Sequence, residues 1–596
     1  MHIPLVIIPP FEVCTLATEI VSFSCGIKNN VLRSYTKMKK LSWKASICLI
    51  SLAIIVVPVQ AKGKLTKIKS AVDVNPDPQI FETTITAATK KLKLANGEKV
   101  TVFAYNGQVP GPEIKVKEGD RVIVHFKNNL PEEYPSTIHW HGIELNNKSD
   151  GTPVTQAPVQ SGDSYTYDFI VPRGGVFWYH PHVRGAQVVN AGLYGSLIVK
   201  QAVEKELVKE RALPRFDRTI VLSDMSVVDG ELKDIEATPV LETMNGVEGE
   251  HLLVNGRELP TLKVKAGKPI RLRLINASIS RYFRLSLPGH TIYRVGGEGG
   301  ILSKVRVEGG SVMGMRKAMG ADYDGYTGPI MIDQGYDKGE ILLTPAQRAD
   351  VVIVPNGERG ETLTVQWKDF ARGRHQMHMG PMGMMMVEAD DDGLRPAKDL
   401  FRIKLHKNKG HKKYHHKHRE FSINEGDDLI ATPGRLMADR QDSQIKLQSN
   451  MMAMMSGMPK EKWFMIDGYS GNMGRTNYRT ASVGETIKWE THNHTDMHHP
   501  FHLHGFSFQP TMFMNMHHDE GFMDMWMVNA ENEFVDTINV PPHTSVFYMF
   551  EVTERPDYAA EVGTQSGAGA AGDWVFHCHI FQHGENGMMS FLRVSE

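Results

Sequence analysis

Three stretches of the chain follow one pattern, and that pattern restricts the fold more than any other feature. Asn106-Gly107, Asn255-Gly256 and Asp467-Gly468 each precede a segment of strand-like alternation that turns at Gly119, Gly267 or Gly484. An asparagine follows each of those glycines nine residues later, at Asn128, Asn276 and Asn493. In the first copy Ile114, Val116, Val122, Val124 and Phe126 alternate with Lys115, Lys117 and other polar residues; in the second, Leu262, Val264, Ile270, Leu272 and Leu274 alternate with lysines and arginines. Successive side chains of a strand point to opposite faces, so this period leaves one face to be buried. Repeated period-two segments with frequent Gly and Pro turns predict an all-β chain of related sandwiches with little helix. A length of 596 residues has room for three or four domains.

The copies differ after their asparagines. The first and third run into histidine pairs, His139-Trp140-His141 and His502-Leu503-His504, the latter preceded by His499-Pro500-Phe501. The second runs into Arg281-Tyr282-Phe283-Arg284-Leu285 and has no paired ligands there or near Ala349-Asp350-Val351. A further pair is His180-Pro181-His182, and the chain closes on His577-Cys578-His579, with His583 and Met588 beyond. One His-x-His pair is weak evidence, since histidine-rich strands also sit at surfaces without a metal. A lone Cys between two His is more often a buried thiol beside surface imidazoles. Together, however, these motifs supply ten histidines, one cysteine and one methionine. Two His, a thiolate and a weak axial thioether are the ligands of a blue copper site, and neutral imidazole suits further copper ions. Along a strand Cys578 faces one way while His577 and His579 face the other, so one strand can reach two metal centres.

In these four motifs and their order the chain resembles the multicopper oxidases, the family of laccases, ascorbate oxidase, ferroxidases and bacterial copper-resistance oxidases. The resemblance covers roughly residues 80–596 and narrows the fold to three consecutive cupredoxin-like Greek-key β-sandwich domains. It implies four coppers: a type 1 ion held by His499, Cys578, His583 and Met588; a type 2 ion held by His139 and His502; and a type 3 pair held by His141, His180, His182, His504, His577 and His579. The expected domains are 75–202, 203–395 and 396–596, with the three-copper cluster between the first and third and the second as a copper-free spacer. The implied activity is oxidation of a reducing substrate coupled to reduction of O2 to water. Electrons would arrive at a near-surface type 1 copper through His499 or His583 and pass from Cys578 to its bonded neighbours. Asp150, eleven residues after His139, falls where copper-efflux oxidases keep a proton-delivering acid, although Asp150-Gly151 also reads as a turn. Those enzymes place a second acid directly after the last type 1 histidine; here Gly584 stands there and Glu585 follows, so the second donor's identity stays open.

Cys14, Cys25 and Cys48 all precede a secretory-type signal over residues 38–61, with basic Met38-Lys39-Lys40, an apolar stretch and Val59-Gln60-Ala61 as the cleavage site. Residues 1–37 show no pattern, and translation from Met38 is the simplest reading; a longer leader with an uncleaved anchor is the alternative. After cleavage Cys578 alone remains, which favours a ligand over a disulfide. The expected route is export, to the periplasm in a Gram-negative bacterium, without a stable membrane anchor. A net charge of -1 gives no electrostatic case for nucleic acid.

The substrate clue is methionine. Of 32 methionines, six fall in 375–386, five in 451–458 and six in 512–527. Flexible core filler or oxidation scavenging is the ordinary explanation. The runs have no helical or strand period and are expected as loops, where soft thioethers would select Cu(I). Residues 406–419 add five histidines among six Lys or Arg, a solvated linker or a Cu(II) site. The expected function is therefore an exported Cu(I) oxidase in copper tolerance. The alternatives are a laccase-like phenol oxidase, an Fe(II) or Mn(II) oxidase, and, from another class, a copper-binding or storage protein.

Overall fold

The computed structural model describes residues 63–309, 339–380, 383–388, 394–406, 421–471, 478–517, 522–527, 532–556 and 569–596. The expected leader, the signal segment and the histidines at 411–418 lie outside the described residues.

The repeated pattern builds paired sheets. In the first copy a four-stranded sheet ordered Lys99–Tyr105, Ile80–Lys93, Arg121–Asn129, Ser164–Ile170 accompanies another ordered Ile114–Lys117, Gly195–Lys200, Gly175–His180, His139–His141. The second copy pairs a six-stranded with a five-stranded sheet, and the third a seven-stranded with a five-stranded one. That last sheet runs Tyr478–Ser482, Met589–Ser595, Gly572–Cys578, His499–Leu503, Thr537–Val540. The longest helix among the described residues is Val203–Glu210, eight residues. The architecture is the all-β, cupredoxin-like sandwich arrangement that the alternation and the resemblance predict.

The repeat's polar residues have one structural job three times over. Each copy contains a parallel pair: Ile80–Lys93 with Arg121–Asn129, Asp217–Met225 with Ile270–Asn276, and Ile445–Ser449 with Thr486–Asn493. Asn276 and Asn493 end the second strand of their pairs, Asn128 stands one residue before the end of its own, and all three are fully buried. Each satisfies its amide by knitting the next loop: Asn128 Nδ2 donates to the carbonyls of Tyr134 and Val159, Asn276 Nδ2 to those of Arg281 and Leu343, and Asn493 Nδ2 to those of Met497, Val540 and Pro541. Asn106, Asn255 and Asp467 sit at φ 48°, 50° and 56°, where short polar side chains are tolerated. Their side-chain oxygens accept from the amides of Thr86, Val221 and Lys446.

Two expectations are corrected. The boundary at 395 cuts off a strand of the second sandwich: Lys398–His406 pairs with Thr261–Lys265 and Thr362–Lys368 and buries Leu400, Phe401, Ile403 and Leu405 in that core. The methionine-rich runs are not loops. His375–Gly380 and Gly383–Glu388 form an antiparallel hairpin, Phe508–His517 pairs with Phe522–Met527, and Met451–Met455 is a helix capped by Asn450. Ladder bonding satisfies the backbone whatever the side-chain period, so absence of a period did not mean absence of strand.

One apolar cluster runs through the first and third sandwiches, from Ile85 and Trp140 to Trp489, Cys578 and Met588, whereas the second sandwich has its own. The histidine-bearing strands of the outer sandwiches therefore meet along a shared interior.

Candidate metal centres

Ladder register brings the histidines together. His139 lies opposite His180 between His139–His141 and Gly175–His180, and His502 opposite His577, with Phe501 opposite Cys578, between His499–Leu503 and Gly572–Cys578. Rings from the two outer sandwiches then interleave: His139 stacks on His504 at 3.9 Å between centroids, and His141 on His502 at 3.8 Å. Three groups result, each with nitrogens within 4.8 Å of one another: His141, His180 and His579; His182, His504 and His577; and His139 and His502 beside His141. A fourth, separate group is His499, Cys578 and His583.

Hydrogen bonds fix which nitrogen of each ring faces inward. His139 Nδ1 donates to the Asp150 carbonyl (2.8 Å), His180 Nδ1 to the Pro181 carbonyl (2.9 Å) and His502 Nδ1 to the Asp536 carbonyl (2.8 Å). His141 is reversed, with Nε2 donating to the Asp536 carboxylate at 2.9 Å. The remaining nitrogens, Nε2 of His139, His180 and His502 and Nδ1 of His141, are buried without a hydrogen-bond partner, as are both nitrogens of His579. His504 Nδ1 donates to Asp150 Oδ2 (3.0 Å) and His577 Nδ1 to the Cys578 carbonyl (2.9 Å), so their unprotonated Nε2 atoms face each other at 3.1 Å. Two lone pairs so close repel unless a cation lies against them. Burial, reinforced by the neighbouring rings, pushes the pKa values of His141, His180, His182, His504 and His579 well below the usual range and that of His577 down to about 3. Neutral, inward-facing, otherwise orphaned imidazoles are the donor set that copper requires.

The fourth group fits a thiolate-bound metal. Cys578 Sγ is 3.3 Å from His499 Nδ1 and 3.7 Å from His583 Nδ1. The other ring nitrogens are tied back, His583 Nε2 to the Met244 carbonyl (2.7 Å) and His499 Nε2 to Thr495 Oγ1 (2.7 Å). Burial raises the thiol's pKa, so its thiolate needs a cation beside it. Met588 is fully buried; its carbonyl accepts from Cys578 N and its amide donates to the His583 carbonyl. Neither His499 nor His583 reaches the surface: they are 1% and 0% exposed, and Phe464 stacks on His583 at 4.3 Å. Val240–Asn245 of the middle sandwich, through its Met244 carbonyl, and the Phe464 ring cover His583, so the imidazole expected as an electron entry point is itself buried.

The two acids part company. Asp150 is buried against the cluster, its carboxylate on His504 and its carbonyl on His139, so it orients one ring from each outer sandwich. It is also the turn residue that its sequence suggests, since Gly151 at φ 77° allows no Cβ beside the Ile138 carbonyl. Glu585 is half-buried at the start of helix Gly185–Asn190, where Oε1 accepts from Ala186 N (3.1 Å) rather than from an imidazole. Burial pushes its pKa up to about 7.

Sequence reasoning missed the residues that hold the ligands. Asp536 binds His141 through its carboxylate and His502 through its carbonyl. Arg348, from the middle sandwich, donates through Nη1 to Asp536 Oδ1 at 2.8 Å and through Nη2 to Oδ2. Glu298 Oε2 accepts from the amides of Asp536 (2.9 Å) and Thr537 (3.1 Å). No motif spacing marks these positions.

Multicopper oxidase family sequence models match residues 86–204, 217–309 and 444–596. The chain is 25% identical over 523 residues to the multicopper oxidase mco of Staphylococcus aureus, covering 86% of this chain and 88% of that protein. It is 31% identical over 239 residues to the multicopper oxidase MmcO of Mycobacterium tuberculosis, covering 35% and 45% of the two chains. Among solved structures, the Campylobacter jejuni multicopper oxidase superposes with a TM-score of 0.68 at 24% identity, covering 90% of this chain and 96% of that one. A Pediococcus acidilactici laccase superposes with a TM-score of 0.65, also at 24% identity, covering 90% and 95%. Fold and site together define a copper-dependent oxidoreductase that uses O2. The chain belongs to the multicopper oxidase family.

Proposed function

We propose that this oxidase takes electrons from Cu(I), outside the cytoplasm, and so converts the more toxic cuprous ion to Cu(II). The supporting observation is the methionine-rich helix Met451–Met455 and the turn after it. Met452, Met455 and Met458 are 80%, 53% and 48% exposed, which excludes core filling, and the same segment leads into Phe464, the ring stacked on His583. Exposed soft thioethers a few residues from the cover of the thiolate site favour a cuprous donor over a phenol. The similar Campylobacter jejuni protein is a metallo-oxidase. Export rests on the signal-like residues 38–61.

In this reading His499, Cys578, His583 and Met588 hold the type 1 copper, and His139 and His502 the type 2 copper. His141, His180 and His579 hold one type 3 copper, and His182, His504 and His577 the other. When bound, the coppers supply one-electron chemistry at the type 1 site and dioxygen reduction at the cluster. The protein's part is to hold rings and move protons. Asp150, on His504 and His139, holds a carboxylate at the cluster where reduction of O2 consumes protons, and we assign it proton delivery. Cys578 is bonded directly to His577 and His579, so few covalent bonds separate the two centres. The test is oxygen uptake by the copper-loaded protein with Cu(I) as donor, before and after replacing Met452, Met455 and Met458 by Ser. Uptake that falls severalfold with Cu(I) but not with a phenol supports the reading; no uptake with Cu(I), or equal loss with both donors, overturns it.

A further inference from the structure

A further His-x-His pair, His492-Asn493-His494, lies outside both centres. It faces solvent on the seven-stranded sheet, where the outward residues of Thr486–Asn493 alternate with buried ones. His492 pairs across the ladder with Ser545, and His543, two residues before Ser545, lies close enough to His494 for their positive charges to repel. The 492 and 494 rings meet edge to face at 4.3 Å. His543 holds φ 51°, an unfavourable backbone conformation for His, and its Nε2 is 2.9 Å from Asp496 Oδ1. On the next strand Met514 pairs with Ser545.

The tautomer of His492 can be read directly. Ser545 Oγ donates its one proton to Glu490 Oε1 (2.7 Å), so His492 Nδ1, 2.9 Å from that oxygen, must donate to it. Nε2 is left with its lone pair, the state in which a Glu–Ser relay orients a metal-binding imidazole. Its pKa, lowered to about 4 by partial burial and by His494, keeps the ring neutral at neutral pH. Lys446 pairs with His492 on the other side and opposes a cation, while Glu490 and Asp496 favour one. His494, Asp496 and His543 are exposed, and exposed side chains reorient within nanoseconds. Thr495, between His494 and Asp496, points inward to His499.

We propose that His492, His494 and His543, with Asp496, form a labile binding site for a divalent transition metal ion, behind which Thr495 touches a ligand of the thiolate centre. Imidazole and carboxylate donors select borderline divalent ions, Cu(II) most strongly and Zn(II) after it. The site is independent of which donor the oxidase uses. It is tested by calorimetric titration of the copper-loaded protein with Zn(II), which is redox-silent. The parent is a variant with His411, His415, His416 and His418 changed to Asn, so that the basic segment contributes nothing. One equivalent of Zn(II) is expected. His543→Asn, which the left-handed backbone accommodates, should weaken binding at least ~10-fold, and Ser545→Ala, which removes only the orienting hydroxyl, by a similar ~10-fold. Blue absorption reports that each variant is folded and loaded; if buried Ser545→Ala loses it, His543→Asn decides. No binding by the parent, or unchanged affinity in His543→Asn, overturns the proposal.

Discussion

The outer sandwiches and the middle one are built on the same repeat and use it in opposite ways. After Asn128 and Asn493 the chain places imidazoles; after Asn276 it places Arg281, whose Nε donates to the buried Asp224 at 2.8 Å. Arg271 and Arg273 likewise share Asp350 and Glu204 in the middle sandwich. The spacer expected from its lack of ligands is therefore also a clamp. Its Met244 carbonyl orients His583, Val247 N donates to Gln582 beside it (2.6 Å), and Arg348 pins the Asp536 that orients His141 and His502. The outer domains supply donor atoms and the middle domain sets their angles.

Breaking the comparison from the outer side should give the largest effect. Cys578→Ser removes the only thiolate of the fourth group and is expected to abolish blue absorption and all oxidase activity; retained turnover would contradict the assignment. From the middle side, Arg348→Met strands the buried Asp536 carboxylate, and thermal or denaturant unfolding should show a loss of about 3–5 kcal/mol. A loss below about 1 kcal/mol would mean that the clamp is not rigid.

A pH measurement sharpens the same contrast. Glu248 is buried among Arg372 (2.8 Å), Arg281 (3.1 Å) and Arg395, which lower its pKa from 4.5 to about 2 against the opposing effect of burial. A depressed carboxylate stabilises the fold above the unfolded pKa, and that contribution, on the order of 3 kcal/mol, is lost as pH falls from 4.5 towards 2. Glu248→Gln should flatten the acid limb of Tm against pH; an unchanged limb would exclude this network as the acid-labile part. Smaller still, Asp150→Asn should lower kcat about 100-fold, with blue absorption retained, because proton delivery and not the thiolate centre is affected. Unchanged kcat would leave Asp150 as a turn residue that orients His504 and His139, without a part in proton delivery.

The candidate ligands that the structure gathers were legible in the sequence because metal chemistry demands particular side chains at strand spacing, and because three copies of one turn-and-asparagine pattern reveal the frame. Asp150 was legible from its distance to His139. The clamp was not: Met244, Asp150 and Asp536 act through backbone carbonyls, which any residue carries, and Arg348 reaches Asp536 across 188 residues of chain. The burial of His583 was missed for the same reason, since part of its cover, around Met244, comes from another domain. The methionine-rich hairpins were not legible because their strands pair through backbone hydrogen bonds, which any order of side chains permits.

The copper content of blue, folded Arg348→Met protein tests the account most directly. Arg348 binds Asp536 and so His141 and His502, whereas Met244 holds His583 and Thr495 holds His499. The account predicts that the variant keeps its blue copper and loses copper from the histidine cluster. A variant with its full copper complement, or one that loses the blue copper first, would contradict it.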